Sequence, residues 1–318
     1  GHVTDTVRKG MLDMSLLGRE QLIYGMMASL ASAGTLLIGA SRFGLPISTT
    51  HSIVGAIVGF GAVAIGIDAV NWPKVLQISL SWITSPLLAG VIAFAIFHLI
   101  RSTILNKSNP VHQIRKYGPA FFFFVFFIIG LVTLFKGLKH INLDLDLMEA
   151  LAGSVALGLI GSGIGAFFIR RVQIGEADPD HRFDQVERIF VVLQILTACA
   201  IAFAHGSNDV ANAIGPLAAI VNAVENIDLT AKAPVAPWML AIGGLGIVIG
   251  LATWGYRVME TVGKKITELT PSRGFAAQLA AASTIVLASR LGIPISTTHT
   301  LVGAVLGVGL ARGITALD

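Results

Sequence analysis

Apolar stretches of roughly 20 residues, the length a helix needs to cross a bilayer, recur along this chain. They fall at residues 21–40, 75–100, 119–135, 148–169, 189–204, 237–254 and 276–288, besides two glycine-rich segments that begin at Arg42 and Arg290. A segment in contact with lipid has to satisfy its own backbone hydrogen bonds, so such a series is expected to fold as an all-α polytopic bundle. Only 13% of the residues are charged, about half the share of a soluble domain. The N-terminus is polar and the first apolar run has no small-residue cleavage pattern behind it, so no cleavable leader is expected.

The formal charge of +4 does not point to nucleic acid, because the basic residues sit between spans, where they set orientation. Residues 101–117 hold Arg101, Lys107, Arg115 and Lys116 without an acid, and residues 170–188 hold Arg170, Arg171, Arg182 and Arg188. An even number of spans separates the two loops, which puts both in the cytoplasm. The single cysteine, Cys199, excludes an internal disulfide, and its apolar setting reads as packing. The phenylalanine run at 121–127 reads as a lipid-facing or interhelical surface.

Residues 40–61 and 288–309 are identical at 15 of 22 positions at an offset of 248. Upstream, VTDTVRKG from Val3 resembles VMETVGKK from Val258 at an offset of 255. The chain therefore carries an internal duplication, and inverted repeats that meet at a binding site are a recurrent transporter design. The second half also contains AFAHGSNDVANAIG, whose partner in the first half would precede Val3. The first repeat is thus expected to be truncated at its N-terminus, with a partial first repeat at 1–70, connecting helices and a short cytoplasmic loop at 71–186, and the second repeat at 187–318.

His205, Ser207, Asn208, Asp209 and Asn212 stand between apolar stretches with no polar flank of loop length. An Asp at the centre of a membrane helix costs about 3 kcal/mol, so such residues usually line a cavity or bind an ion. The plainer alternative is that Gly206 ends one helix and the next residues cap another. A carboxylate with amide oxygens is a hard-oxygen set that suits Na⁺ and does not suit a soft metal. In the repeated PISTTH, Pro46 or Pro294 ends a helix and the hydroxyl residues start the next. A helix N-terminus with hydroxyls beside it can hold a tetrahedral oxyanion. A capped packing helix with no ligand is the competing reading. His51, His299 and His205 read first as structural, with anion contact or proton transfer as alternatives. Gln194 and Gln278 read as interhelical hydrogen-bonding residues that are able to reach a polar cavity. No cluster has zinc-ligand spacing.

GSNDVANAIGPL, the doubled PISTTH and VTDTVRKG resemble the signatures of the inorganic phosphate transporter family, also called PiT or phosphate permeases. The resemblance covers nearly the whole chain. It implies two inverted repeats with broken or re-entrant helices, a homodimer, and transport of inorganic phosphate coupled to Na⁺ or H⁺. It assigns Asp209, Asn208 and Asn212 to the cation, and Ser48, Thr49, Thr50, Ser296, Thr297 and Thr298 to phosphate, with Asn208 shared. Two departures stand out: the Asn-Asp motif occurs once here, and Gln278 stands where the resemblance leads one to expect an acid in some relatives.

The sequence reading is therefore a secondary active importer of phosphate by cation symport, with Na⁺ ahead of H⁺ as the coupling ion and metal-phosphate or another oxyanion as alternative cargo. No cofactor is expected, and the short central loop points to a prokaryotic plasma membrane. A channel lacks support because the polar residues converge in pairs rather than in rings. An enzyme lacks a nucleophile-base pair or a phosphate-handling Gly-Lys loop.

Overall fold

The computed structural model of the chain describes residues 10–13, 16–134, 145–171, 182–225, 235–264 and 269–313, without the side chains of Arg182, Ser207 and Lys264. Among the described residues the structure is helical apart from one isolated bridge between Leu12 and Val70. The helices are α1 (Arg19–Arg42), α2 (Thr49–Ala64), α3 (Trp72–Ile100), α4 (Pro110–Val132), α5 (Leu147–Arg171), α6 (Arg182–Glu225), α7 (Pro237–Gly250), α8 (Tyr256–Lys264), α9 (Pro271–Arg290) and α10 (Thr297–Arg312). Single π-helical turns prolong α3 through Arg101–Leu105 and join α7 to α8 through Leu251–Gly255.

Among the described residues six helical stretches are long and apolar enough to cross a membrane: Arg19–Arg42, Trp72–Leu105, Pro110–Val132, Leu147–Arg171, Phe183–Glu225 and Pro237–Gly263. Helices α2 and α10, at 16 residues each, reach about 24 Å at 1.5 Å per residue and fall short of the hydrocarbon core. Helix α9 takes up the apolar run at 276–288 but is not among the six. Phe275, Ala276, Ala277, Ala280, Ala281 and Ala282 are all buried by protein.

The chain divides into two compact units. The first comprises Gly1–Ser85, His205–Lys265 and Leu287–Thr300. Its core sets Leu22, Met26 and Ala33 of α1 against Ile53, Val54 and Ile57 of α2 and against Ala211, Ala219 and Ala223 of α6. The fit is close enough that a Cβ on Gly25 would lie 2.0 Å from the Phe60 ring. Met239 of α7 packs on Ile214 and Ala218.

The second unit comprises Pro86–Ala204, Ile266–Val286 and Leu301–Asp318. Here the phenylalanine run serves mainly between helices. Phe122, Phe123 and Phe126 of α4 lie over Gly165, Gly158 and Gly161 of α5, while Phe121 meets the rings of Phe190 and Phe275 at 6.0 and 5.8 Å. Phe124 is exposed. Helices α3 and α10 touch backbone to backbone, since a Cβ at Gly303 would sit 2.3 Å from the Pro86 carbonyl oxygen. Small residues at such crossings are how membrane helices gain dispersion contact.

Three expectations change. The 101–117 loop is mostly helix: the π turn carries α3 to Leu105, and Asn109 restarts the chain by accepting from the His112 N–H at 3.0 Å. No break occurs at Gly206, because α6 is continuous through it. A glycine inside a helix costs only about 1 kcal/mol, less than leaving the terminal N–H and C=O groups of a broken helix unpaired in an apolar setting. The cap reading of residues 207–209 therefore falls. Cys199 is exposed on α6 rather than packed. The VTDTVRKG segment up to Lys9 and residues 172–181 of the 170–188 loop lie outside the described residues.

Candidate functional site

The chain breaks between helices at both PISTTH segments, but the preceding helices end at Arg42 and Arg290, ahead of Pro46 and Pro294. In both copies a glycine after the preceding helix has positive φ, Gly44 at 70° and Gly292 at 69°. The next N–H folds back to the same carbonyl: Leu45 N–H to Ala40 O at 3.0 Å, Ile293 N–H to Ala288 O at 3.1 Å. This is a glycine C-cap. Ser48 and Ser296 then cap α2 and α10 by accepting from the N–H groups of His51 (3.2 Å) and His299 (3.1 Å). The two copies thus share one local structure as well as one sequence.

Both lead to Asp209. Its Oδ2 accepts from the Thr49 hydroxyl at 3.1 Å and the Thr297 hydroxyl at 2.8 Å, and lies 2.8 Å from His205 Nε2, one helical turn away on α6. Its Oδ1 accepts from Asn208 Nδ2 at 2.9 Å. The aspartate side chain is 7% exposed and the His205 side chain 45%. Asn212 Nδ2 donates to the hydroxyls of Thr49 at 3.3 Å and Thr50 at 3.1 Å, and Thr50 donates to the Ile295 carbonyl at 3.0 Å. All of these residues belong to the first unit.

One acceptor is left over. Asn212 Oδ1 is buried without a hydrogen-bond partner, although buried polar atoms are paired in the great majority of cases. Pro216, four residues on in the same helix, has no N–H to give the Asn212 carbonyl. Unpaired oxygens beside a carboxylate suit a hard cation. Among the described residues no group of three His, Cys, Asp or Glu side chains is placed to hold a metal ion.

The remaining candidates separate. Thr298 is half-buried on the first turn of α10. His51 meets His299 edge to face at 4.5 Å and lies against Trp82 at 3.8 Å, with its Nε2 unpartnered. Gln278, in the second unit, accepts from Thr197 at 2.8 Å, as an interhelical bond. Gln194 lies against Gly274, where an added Cβ would come 2.2 Å from its Nε2. Sequence reasoning passed over Ser289, whose hydroxyl donates to Asn208 Oδ1 at 3.4 Å, and the carbonyl of Ile295. Ser289 sits within the duplication, opposite Ser41, and that repetition was the available signal. Nothing in the sequence singled out Trp82.

Among the described residues, six span-length helices, two broken helix pairs and a buried carboxylate reached by both define an integral membrane protein of the transporter class. The chain belongs to the phosphate transporter family, whose model matches residues 1–318. It is 45% identical to a Haemophilus influenzae protein provisionally named a phosphate permease, over 100% of this chain and 76% of the other. It is 46% identical to one from Pyrococcus abyssi with the same provisional name, over 99% and 76%. A solved structure described as the sodium-dependent phosphate transporter shares 40% identity at a TM-score of 0.89, covering 98% of this chain and 76% of that one. The family is one of permeases, not enzymes.

Proposed function

We propose that the chain imports phosphate by Na⁺ symport, with Asp209, Asn208 and Asn212 holding the cation and the hydroxyls at the starts of α2 and α10 receiving the anion. The observation that carries this reading is the shared use of Asp209 Oδ2 by Thr49 and Thr297. A cation arriving at that oxygen displaces the two hydroxyl hydrogen bonds, each threonine keeping its proton, and uses the spare Asn212 Oδ1. Both hydroxyls are then free to donate to phosphate. Coupling follows from chemistry: without the cation the donors are occupied, and an unneutralised carboxylate repels a dianion. Ser48 and Ser296 are engaged as caps, so their part is to hold the helix starts whose N–H groups favour an anion.

The two copies are read as inverted repeats whose rocking alternates access, in a homodimer of the plasma membrane with residues 101–117 and 170–188 cytoplasmic. The similarity to a sodium-dependent transporter supports Na⁺. Proton coupling is the second reading, favoured by the 2.8 Å approach of His205 to Asp209.

The test is labelled-phosphate uptake into proteoliposomes, first under an inward Na⁺ gradient and then under a proton gradient without Na⁺. Stimulation by Na⁺ alone is expected. Stimulation by protons alone moves the coupling role to the His205–Asp209 pair, and no uptake under either gradient rejects the reading.

A further inference from the structure

The repeated VMETVGKK falls on α8 and takes no part in the site above, yet it grips the chain that leads into it. Helix α1 ends at the glycine C-cap, where Ala40 and Ser41 carbonyls accept from Phe43, Gly44 and Leu45. The carbonyls of Arg42 and Gly44 are then still in need of donors. Both come from one face of α8: the Arg257 guanidinium donates to Arg42 O, and the Thr261 hydroxyl donates to Gly44 O at 2.8 Å. Arg257 is itself steadied by Tyr256, whose hydroxyl accepts from Nε at 2.9 Å. The contact is close, with a Cβ on Gly44 falling 3.3 Å from both the Arg257 carbonyl oxygen and Thr261 Oγ1.

Only four residues separate Gly44 from Thr49, and little in them can flex. Gly44 is fixed at φ 70°, Ile47 N–H bonds Leu45 O at 3.0 Å, Pro46 has a locked φ, and Ser48 caps α2. A shift at Gly44 therefore passes to Thr49, whose hydroxyl stands 3.1 Å from Asp209.

We propose that Thr261, aided by Arg257, is a positioning residue that sets where Thr49 meets Asp209, and so tunes cation binding at a site it does not touch. The inference rests on reading Asp209 as the cation ligand.

The experiment compares Thr261→Val, which keeps shape and loses the donor, with Thr261→Ser, which keeps the donor. Two readouts are taken: Na⁺-dependent phosphate uptake in proteoliposomes, and backbone amide exchange of residues 43–52 in detergent. Thr261→Val is expected to lower the half-saturating Na⁺ concentration about three- to tenfold, because the Thr49 hydroxyl that the cation must displace from Asp209 is then held less firmly, with the maximal rate within about twofold of the parent. Exchange at 43–52 speeds up in Thr261→Val, and Thr261→Ser restores both. An unchanged Na⁺ requirement, or a loss of maximal rate alone, overturns the proposal, as does failure of serine to rescue. Absence of Na⁺-dependent uptake in the parent rejects the functional reading instead, and amide exchange then decides whether α8 holds the segment.

Discussion

Thr49 and Thr297, which stand at the same place in two copies of one sequence, donate to the same oxygen of Asp209, at 3.1 and 2.8 Å. An internal duplication thus ends on a single atom contributed by neither copy of PISTTH. The two hydroxyls are expected to act as a unit. Thr49→Val and Thr297→Val should each weaken phosphate affinity by about tenfold, consistent with one lost hydrogen bond. Their double variant should depart from the product of the two, because both act through one carboxylate. Uptake at fixed Na⁺ and varied phosphate reads this directly, and strict additivity would mean that the threonines act independently.

Asp209→Asn keeps the size of the side chain and removes its charge. Hydrogen bonds to a charged group are worth about 1.5–3 kcal/mol, so Na⁺-stimulated uptake should fall by about ten- to a hundredfold while the protein still inserts. Membrane fractionation alongside the uptake assay separates the two effects. Uptake that survives unchanged would return Asp209 to a structural role.

Much of this was legible in the sequence because its signals are strong and local. The repeated Gly-x-Pro-Ile-Ser-Thr-Thr stops one helix at its glycine, cannot resume it at the proline and starts the next at its serine, and both copies fold so. Span-length apolar runs gave the helices for the same reason. Gly206 misled, since its helix-breaking tendency is about 1 kcal/mol, less than the unpaired backbone groups a break would leave in an apolar setting. The Ile295 carbonyl was out of reach, because a main-chain acceptor has no sequence pattern, and the repeat that contains Thr261 marks the threonine without naming its partner. Only three-dimensional proximity reveals that they bind Thr50 and Gly44.

Gln278 is a test of the boundary between site and scaffold. Its Oε1 accepts from the buried Thr197, a bond of the kind worth about 0.6–1.7 kcal/mol between membrane helices. Thr197→Val should lower the thermal unfolding midpoint in detergent by a few degrees and leave the half-saturating Na⁺ concentration unchanged. A shift in Na⁺ requirement would draw Gln278 into the transport machinery.

The duplication also predicts an asymmetry between equivalent glycines. Gly303 and Gly307 of α10 face Pro86 and Gly90 of α3, and an added Cβ would lie 2.3 and 2.1 Å from their carbonyl oxygens. Backbone cannot move aside as a side chain can, so Gly303→Ala or Gly307→Ala should cost about 1–3 kcal/mol by overpacking. At the matching places in the first copy, Gly55 and Gly59, an added Cβ meets nothing within 4 Å. Alanine there should be neutral or gain up to about 1 kcal/mol from helix propensity. Thermal unfolding of the four variants in one detergent gives the comparison. Unchanged stability of the Gly303 and Gly307 variants would mean that the α3–α10 crossing leaves room for a methyl group, and destabilisation at Gly55 or Gly59 would mean that another helix covers α2 in the membrane.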